Sequence, residues 1–386
     1  MPSLNLVPAS SEDYIRLAEK RLPRGLFDYI DGGAYRETTL LDNVRDFKQI
    51  KIKQRVMRDV SRVSTSTEVF GEKWNLPVAL APVGMAGMMA RRGEVQAKRA
   101  ADKAGIPFCL STVGICPIEE VAGVSDKPFW FQLYMLRDRG IVQEILQRAK
   151  NAGVSKLVFT VDLAVMGARY RDVRNGLAGD TGLWGRLRSG LLSYLSHPNW
   201  LLNVGIRGGP HSFGNLVEYV PRATMPADFR QWVDSQFDPT VTWKDIEWLR
   251  QIWDGKLIIK GILSPEDAIS AAEIGADAVI VSNHGGRQLD DVSSSIAMLP
   301  RVVEAAKDRV EILMDSGVRS GLDVVKARAL GASAVLIGRP WVCAVAARGE
   351  EGLVNLLSTF RDEMRVAMAL SGVNQVSEIS ETILDR

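Results

Sequence analysis

The sequence is poor in cysteine and in histidine, with three of each in 386 residues. Cys109, Cys116 and Cys343 are scattered, which excludes a clustered metal-ligand spacing. They read as small buried hydrophobes of a protein kept in a reducing compartment, and no metal site is expected. Charge of one sign is also missing. Lys+Arg 48 against Asp+Glu 46 leaves a net charge of +2, so global charge gives no case for a nucleic-acid partner. No apolar run reaches the ~20 residues of a spanning helix. Met1-Pro2-Ser3-Leu4-Asn5 lacks the basic region and apolar core of a signal peptide. A Gly-x-Gly-x-x-Gly turn between strand and helix is absent too, which argues against a dinucleotide fold.

What is present is a rhythm. The 46% hydrophobic content can fill one large domain or two ordinary ones. Strand-like apolar runs begin at Val78-Ala79-Leu80-Ala81, Pro107-Phe108-Cys109-Leu110, Phe129 to Tyr134 and Lys156 to Val161. They continue at Leu257-Ile258-Ile259-Lys260, Ala278 to Val281, Glu311 to Met314 and Ala334 to Ile337. Helix-like segments such as Glu94 to Ala104 and Ile141 to Ala152 separate most of them. Gly105, Gly153, Gly275 and Gly331 each stand where a helix would end before a strand, as a left-handed cap. Ser264-Pro265-Glu266-Asp267 has the form of a helix start. Eight such units predict an α/β fold, a (β/α)8 TIM barrel. Around it we expect an N-terminal helical cap over 1–70, a barrel over 71–373 and a tail over 374–386. A long insertion after strand four, over 176–240, completes a single domain of 1–386.

The most informative run is Ser282-Asn283-His284-Gly285-Gly286-Arg287-Gln288-Leu289-Asp290, just past the sixth strand. It sets a possible base and a fixed cation three residues apart, with two glycines between. Histidine titrates near neutrality, and a guanidinium grips a carboxylate through paired hydrogen bonds. That layout suits taking a proton from a molecule held by its carboxylate. The other strand ends are polar as well: Pro82-Val83-Gly84, Ser111-Thr112, Gln132 and Tyr134, Thr160 and Asp162, Lys260, Asp315 and Gly338-Arg339. Barrel active sites form at these ends, and a large polar ligand would satisfy such groups. Asp315-Ser316-Gly317-Val318-Arg319 and Gly338-Arg339 follow strands seven and eight, where barrels bind phosphate. Together with Lys260 they point to flavin mononucleotide, FMN, with the lysine near the ring edge that becomes anionic on reduction. Arg169 reads either as a second carboxylate clamp or as a loop ion pair. Asp162 reads either as the partner that orients His284 or as a salt bridge at the barrel mouth. Tyr29 has no role that spacing justifies. His197 and His211, in the insertion, read as surface residues.

These residues resemble the FMN-dependent L-2-hydroxy acid dehydrogenases and oxidases over nearly the whole chain, and the run from Ser282 to Asp290 is a specific marker of them. The resemblance implies that His284 is the active-site base, with Asp162 its partner. It makes Arg287 and Arg169 carboxylate clamps, and Tyr29 and Tyr134 substrate-contacting phenols. Pro82, Val83, Gly84, Ser111, Gln132, Thr160, Lys260, Asp315, Gly317, Arg319, Gly338 and Arg339 become FMN contacts. Asp31 to Tyr35, Arg91 to Ala97 and Met166 to Asp172 are similar to the respiratory L-lactate dehydrogenase branch of bacteria. That branch usually has prolines where this chain has Leu163-Ala164-Val165-Met166.

The insertion bears on the electron acceptor. Leu183, Trp184, Leu187, Leu191, Leu192, Tyr194, Leu195, Trp200, Leu201, Leu202 and Val204 lie beside Arg186 and Arg188, and no acid occurs between Asp180 and Glu218. Apolar and aromatic residues with basic neighbours describe a membrane-interface segment. The other reading is an insertion packed on the barrel or on a neighbouring subunit. The resemblance favours the membrane, with residues 176–215 as the contact, quinone as acceptor, a peripheral place on the cytoplasmic face of the cell membrane, and a homotetramer. The expected reaction is oxidation of L-lactate to pyruvate. Its rivals are a soluble 2-hydroxy acid oxidase that uses oxygen, an FMN isomerase of isoprenoid metabolism, and a barrel scaffold without catalysis.

Overall fold

The structure, a computed structural model, describes residues 7–176, 192–220 and 235–385. Eight short runs of buried apolar residues form the barrel strands. They are β1 Val78–Leu80, β2 Cys109–Ser111, β3 Trp130–Leu133, β4 Lys156–Thr160, β5 Lys256–Ile262, β6 Ala278–Val281, β7 Glu311–Met314 and β8 Ala334–Ile337. All neighbours pair in parallel, and β8 returns to pair with β1. A bridge between Leu80 and Phe108 closes the ring between β1 and β2. The (β/α)8 barrel read from the sequence is the observed fold.

The differences are local. β2 begins two residues after Pro107, which has no N–H to give a ladder. β5 runs past Lys260 to Ile262 through a register shift at Gly261, whose φ of +109° marks a bulge. The expected glycine caps all carry positive φ, and Ser264 accepts from the Asp267 N–H at the start of its helix.

Strand alternation sorts the side chains into two cores. Ala79, Trp130, Val158, Ile258, Ile280 and Leu336 point into the barrel. Their neighbours face the helices and build the larger outer core. An antiparallel hairpin, Thr67–Val69 with Glu72–Trp74, plugs the N-terminal end of the barrel. Trp74 lies 5.7 Å from the Trp130 ring, centroid to centroid.

The cap consists of α1 Ser11–Arg21, α2 Arg24–Asp31 and α3 Thr38–Gln49. Asp290 binds it to the barrel by accepting from the N–H groups of Arg36, Thr38 and Thr39 at the start of α3. Buried Asn43 and Asn283 exchange side-chain hydrogen bonds of 2.9 and 2.8 Å. The outer residues of the 282–290 run are therefore struts, and they press the cap onto the face where the run's inner residues lie.

The insertion departs from its expected exposure. Trp200 and Val204 are buried on the barrel, and the Trp200 indole donates to Met88 O at 2.8 Å. Fully buried Asn215 accepts from Ile118 N and donates to Ser111 O and Thr112 O. Leu195, Leu202 and Ile206 remain exposed. In the π-helical turn Leu201–Ile206 the pair Leu202 and Ile206 faces outward, whereas Trp200 and Val204 face in. Composition could not tell these faces apart. Leu183, Trp184, Arg186, Leu187, Arg188 and Leu191, and the side chain of Leu192, lie outside the described residues. Among the described residues no helix is long and apolar enough to cross a membrane.

Candidate active site

The carboxyl ends of the strands open into one cavity beneath the cap. It is lined by Tyr29, Pro82, Val83, Gly84, Tyr134, Thr160, Arg169, Lys260, His284, Arg287, Asp315, Gly317, Arg319, Gly338 and Arg339. These were expected at a site; Ile30, Ala81, Met85, Val113, Phe213 and Phe237, which also line it, were not. Ser111, Gln132 and Asp162 stand directly behind the lining, and the first two touch each other through the Ser111 hydroxyl and Gln132 Oε1 at 3.0 Å.

One flank of the cavity holds buried polar atoms without partners. Gln132 Nε2 and Thr160 Oγ1 have no hydrogen bond among the described residues, and a buried orphan of this kind is uncommon in a finished core. Lys260, beside them, donates to Ser282 Oγ at 3.0 Å and pairs with Asp315 Oδ2 at 3.1 Å. Burial disfavours its ammonium, but Asp315 and Asp162 outweigh burial and raise its pKa. A fixed cation, a free amide N–H and a free hydroxyl fit the polar edge of a flavin ring.

A second flank holds cations without anions. Arg339 donates to Asp31 O, Gly285 O and Gly32 O, and Arg319 donates to Val318 O. Among the described residues neither guanidinium has a carboxylate in ion-pair range. Burial, with Arg287 and Arg319 as like-charged neighbours, lowers Arg339 to about 9. Burial lowers Arg319 as well. Two buried arginines without a carboxylate partner beside the turn at Gly317 fit a phosphate group, whose charge would offset the burial of both.

Between these flanks lies the loop after β6. His284, Gly285 and Gly286 all have positive φ, at +57°, +70° and +71°. Glycine is required at 286, since a Cβ there would meet Leu40 N at 2.5 Å. The turn directs His284 into the cavity with Nδ1 2.7 Å from Asp162 Oδ1. Burial is the main cause that lowers the His284 pKa, against the pull of Asp162. Asp162 is lowered, because His284 and Lys260 outweigh its own burial. The resting pair is therefore a neutral imidazole and a carboxylate. Nδ1 donates to Asp162, and Nε2 is left as an acceptor.

The two remaining arginines flank the histidine. Arg287 donates to Tyr29 O and Gly32 O and sits 5.1 Å from the Tyr29 ring centroid. Arg169, 7% exposed, donates to Arg287 O at 3.1 Å and to Gln288 Oε1 at 3.0 Å. Asp172 is 4.0 Å away, so the loop ion pair considered from sequence is present at the limit of ion-pair range, without a hydrogen bond between the two. Burial and Arg287 lower the Arg169 pKa to about 10. Tyr134 is buried, and burial raises its phenol well above the ordinary value, so it stays a neutral donor. Its ring meets Phe237 edge-on at 5.2 Å.

Sequence reasoning missed several residues. Ser282 Oγ accepts from both Lys260 and the His284 N–H, and Ser316 ties Asp315 to the Gly285 N–H. Both sit inside motifs that were read, and their hydroxyls were the available signal. Phe213 and Phe237 reach the cavity from the insertion, and no spacing foretells that. His197 and His211 are half-buried, each bonded to a nearby carbonyl, and neither lines the cavity.

A barrel whose strand ends present a flavin-shaped polar edge, a cationic phosphate corner and a His–Asp pair is a flavoenzyme barrel. The chain belongs to the FMN-dependent dehydrogenase family, which it matches over residues 18–386, and FMN is the cofactor of that family. Within it, the L-lactate dehydrogenase of Caulobacter sp. (strain K31) is 54% identical over 98% of this chain and 99% of its own. The L-lactate dehydrogenase of Ectopseudomonas mendocina (strain ymp) is 52% identical at the same coverage. Among solved structures, the monotopic membrane protein (S)-mandelate dehydrogenase superposes with a TM-score of 0.91 at 37% identity, covering 99% of this chain and 100% of that one.

Proposed function

We propose that this chain oxidises L-lactate to pyruvate and that electrons leave through a membrane quinone. The observation that carries the proposal is the neutral His284, held at 2.7 Å by Asp162 between two carboxylate-binding arginines and the cofactor-fitting edge. The full-length L-lactate dehydrogenase relatives support lactate as the substrate.

Arg287 and Arg169 hold the substrate carboxylate, and the phenols of Tyr29 and Tyr134 contact its polar groups. His284 Nε2 accepts a substrate proton, and Asp162 stabilises the imidazolium that results. Lys260 and the Gln132 and Thr160 side chains orient the flavin edge, while Arg319, Arg339 and Gly317 hold its phosphate. Pro82, Val83, Gly84, Ser111, Asp315 and Gly338 complete the cofactor cradle. When bound, FMN supplies the two-electron acceptor that the side chains lack.

The base must be neutral to act. Because burial holds His284 below its ordinary value of 6.5, kcat/KM is expected to stay flat from that pH until Arg169, lowered to about 10, begins to lose its charge. On the acid side it should fall only as pH drops through the lowered His284 pKa.

Membrane association is supported by the acid-free stretch 181–217 of the insertion and by the membrane-associated character of the (S)-mandelate dehydrogenase neighbour, and the face we assign is the cytoplasmic one. Of residues 176–215, the exposed Leu195, Leu202 and Ile206 are the described side chains suited to a lipid surface. The assembly we assign is a homotetramer, as in the family it resembles. The test is to record the visible spectrum anaerobically and add L-lactate, L-mandelate or glycolate. Reoxidation by quinone and by oxygen is then compared. Bleaching by L-lactate with fast reoxidation by quinone is expected. Preference for another acid, or for oxygen, contradicts the substrate or the acceptor separately. For the membrane contact, the double substitution Leu202→Glu and Ile206→Glu should release the protein from vesicles and leave dye-linked turnover intact.

A further inference from the structure

Gln288 joins the two sides of the substrate site, and its amide is used completely. Its Oε1 accepts from Arg169 Nη2 at 3.0 Å. Its Nε2 donates to Asp162 O at 2.9 Å and to Val165 O at 3.0 Å. Asp162 and Arg169 lie seven residues apart on the loop after β4, and one side chain from the loop after β6 ties them. The fit is close, since a Cβ at Gly167 would stand 2.3 Å from Arg287 O and 2.7 Å from Gln288 O.

We infer that Gln288 is the positioning residue that keeps the Arg169 guanidinium oriented toward the cavity without a carboxylate hydrogen-bonded to it, its only ion-pair partner among the described residues, Asp172, standing off at 4.0 Å. This inference rests on the reading that Arg169 holds the substrate carboxylate. A buried arginine needs acceptors, yet an acidic acceptor would spend the charge that must attract the substrate. Neutral acceptors solve both requirements, and Arg169 has two of them, Arg287 O and Gln288 Oε1. Only an amide fits this position. Glutamate would pair with Arg169 and turn an anion toward two carbonyls. Methionine would keep the volume and lose all three hydrogen bonds.

The test uses FMN-loaded Gln288→Glu, Gln288→Met and Arg169→Met with a soluble dye acceptor. KM for L-lactate, inhibition by pyruvate and the flavin spectrum are read across pH. Gln288→Glu should raise KM and weaken pyruvate binding by about tenfold or more, the scale of a lost hydrogen bond to a charged group. Both effects should shrink, relative to wild type, as pH falls and the new carboxyl protonates. Gln288→Met should raise KM less and without that pH dependence, with the flavin spectrum unchanged. If Gln288→Glu fails to fold, Gln288→Met decides, and a raised KM with a native spectrum supports the inference. KM within twofold of wild type in the Gln288 variants, while Arg169→Met raises it, overturns the inference and spares the carboxylate reading. An unchanged KM in Arg169→Met overturns both. A fall in kcat with KM unmoved also overturns it, since that result places the effect at Asp162.

Discussion

Two buried lysines on neighbouring strands show how the ends of this barrel differ. Lys156 opens β4 at the N-terminal end, 1% exposed, with Glu72 Oε1 at 2.6 Å and the Phe70 and Trp130 rings at 5.3 and 5.7 Å. Its charge is consumed by the plug that covers it. Lys260, on β5 near the opposite end, shares Asp315 with a cavity that also contains Arg319, Arg339, Arg287 and Arg169. There positive charge exceeds what the protein neutralises. One end is packed for stability, and the other holds polar atoms and cations whose partners must come from outside. Such a surplus is costly to the empty protein and useful only when an anionic cofactor and a carboxylate arrive.

That contrast predicts which properties each end controls. The largest effect on stability is expected at the plug. Trp74→Ala removes a 3% exposed ring packed on Trp130 and should cost about 3–5 kcal/mol in denaturant unfolding. In FMN-loaded protein kcat should be unchanged, and a loss of turnover would show that the two ends are not separable. Asp162→Asn acts at the other end. It removes the anion that favours the imidazolium, so the His284 pKa falls further. The expected result is a loss of about 10²-fold in kcat, with the acid limb of kcat/KM moved to lower pH. An acid limb moved to higher pH contradicts the assigned pair. Arg339→Met relieves a buried cation that has no carboxylate partner among the described residues, against the loss of its three bonds to the Asp31, Gly32 and Gly285 carbonyls. It should weaken FMN binding by about 10–100-fold while leaving the cofactor-free protein as stable or more stable in a thermal melt. A large destabilisation of the cofactor-free protein would mean that the arginine is structural. The smallest effect is expected from Lys156→Met. The residue it strands, Glu72, is half-exposed and can rehydrate, so unfolding free energy should move by about 1 kcal/mol or less, with FMN affinity unmoved.

The sequence made the same division only in part. The barrel strands were legible because they are apolar runs with glycine at the preceding helix ends, and those signals are local. The bulge at Gly261 and the plug from Thr67 to Trp74 depend on what the rest of the chain places opposite them. At the site, His284, Arg287 and Lys260 were legible because few residue types can act as base or fixed cation, and their strand positions put them on one face. Gln288 was inside the most informative run and still carried no assignment, because its role exists only through Arg169, Asp162 and Val165. The insertion's composition identified an apolar segment. Which residues face the barrel depends on the π-helical turn at Leu201–Ile206, which shifts the ordinary helical period.

The central claim is that His284 takes the substrate proton at a cavity completed by FMN. It is tested most directly by mixing L-lactate anaerobically with FMN-loaded wild type and His284→Gln and following the visible flavin band. The account predicts rapid bleaching of wild type and an unbleached, equally yellow variant, slower by about 10²–10⁴-fold. Bleaching of the variant at the wild-type rate would contradict it.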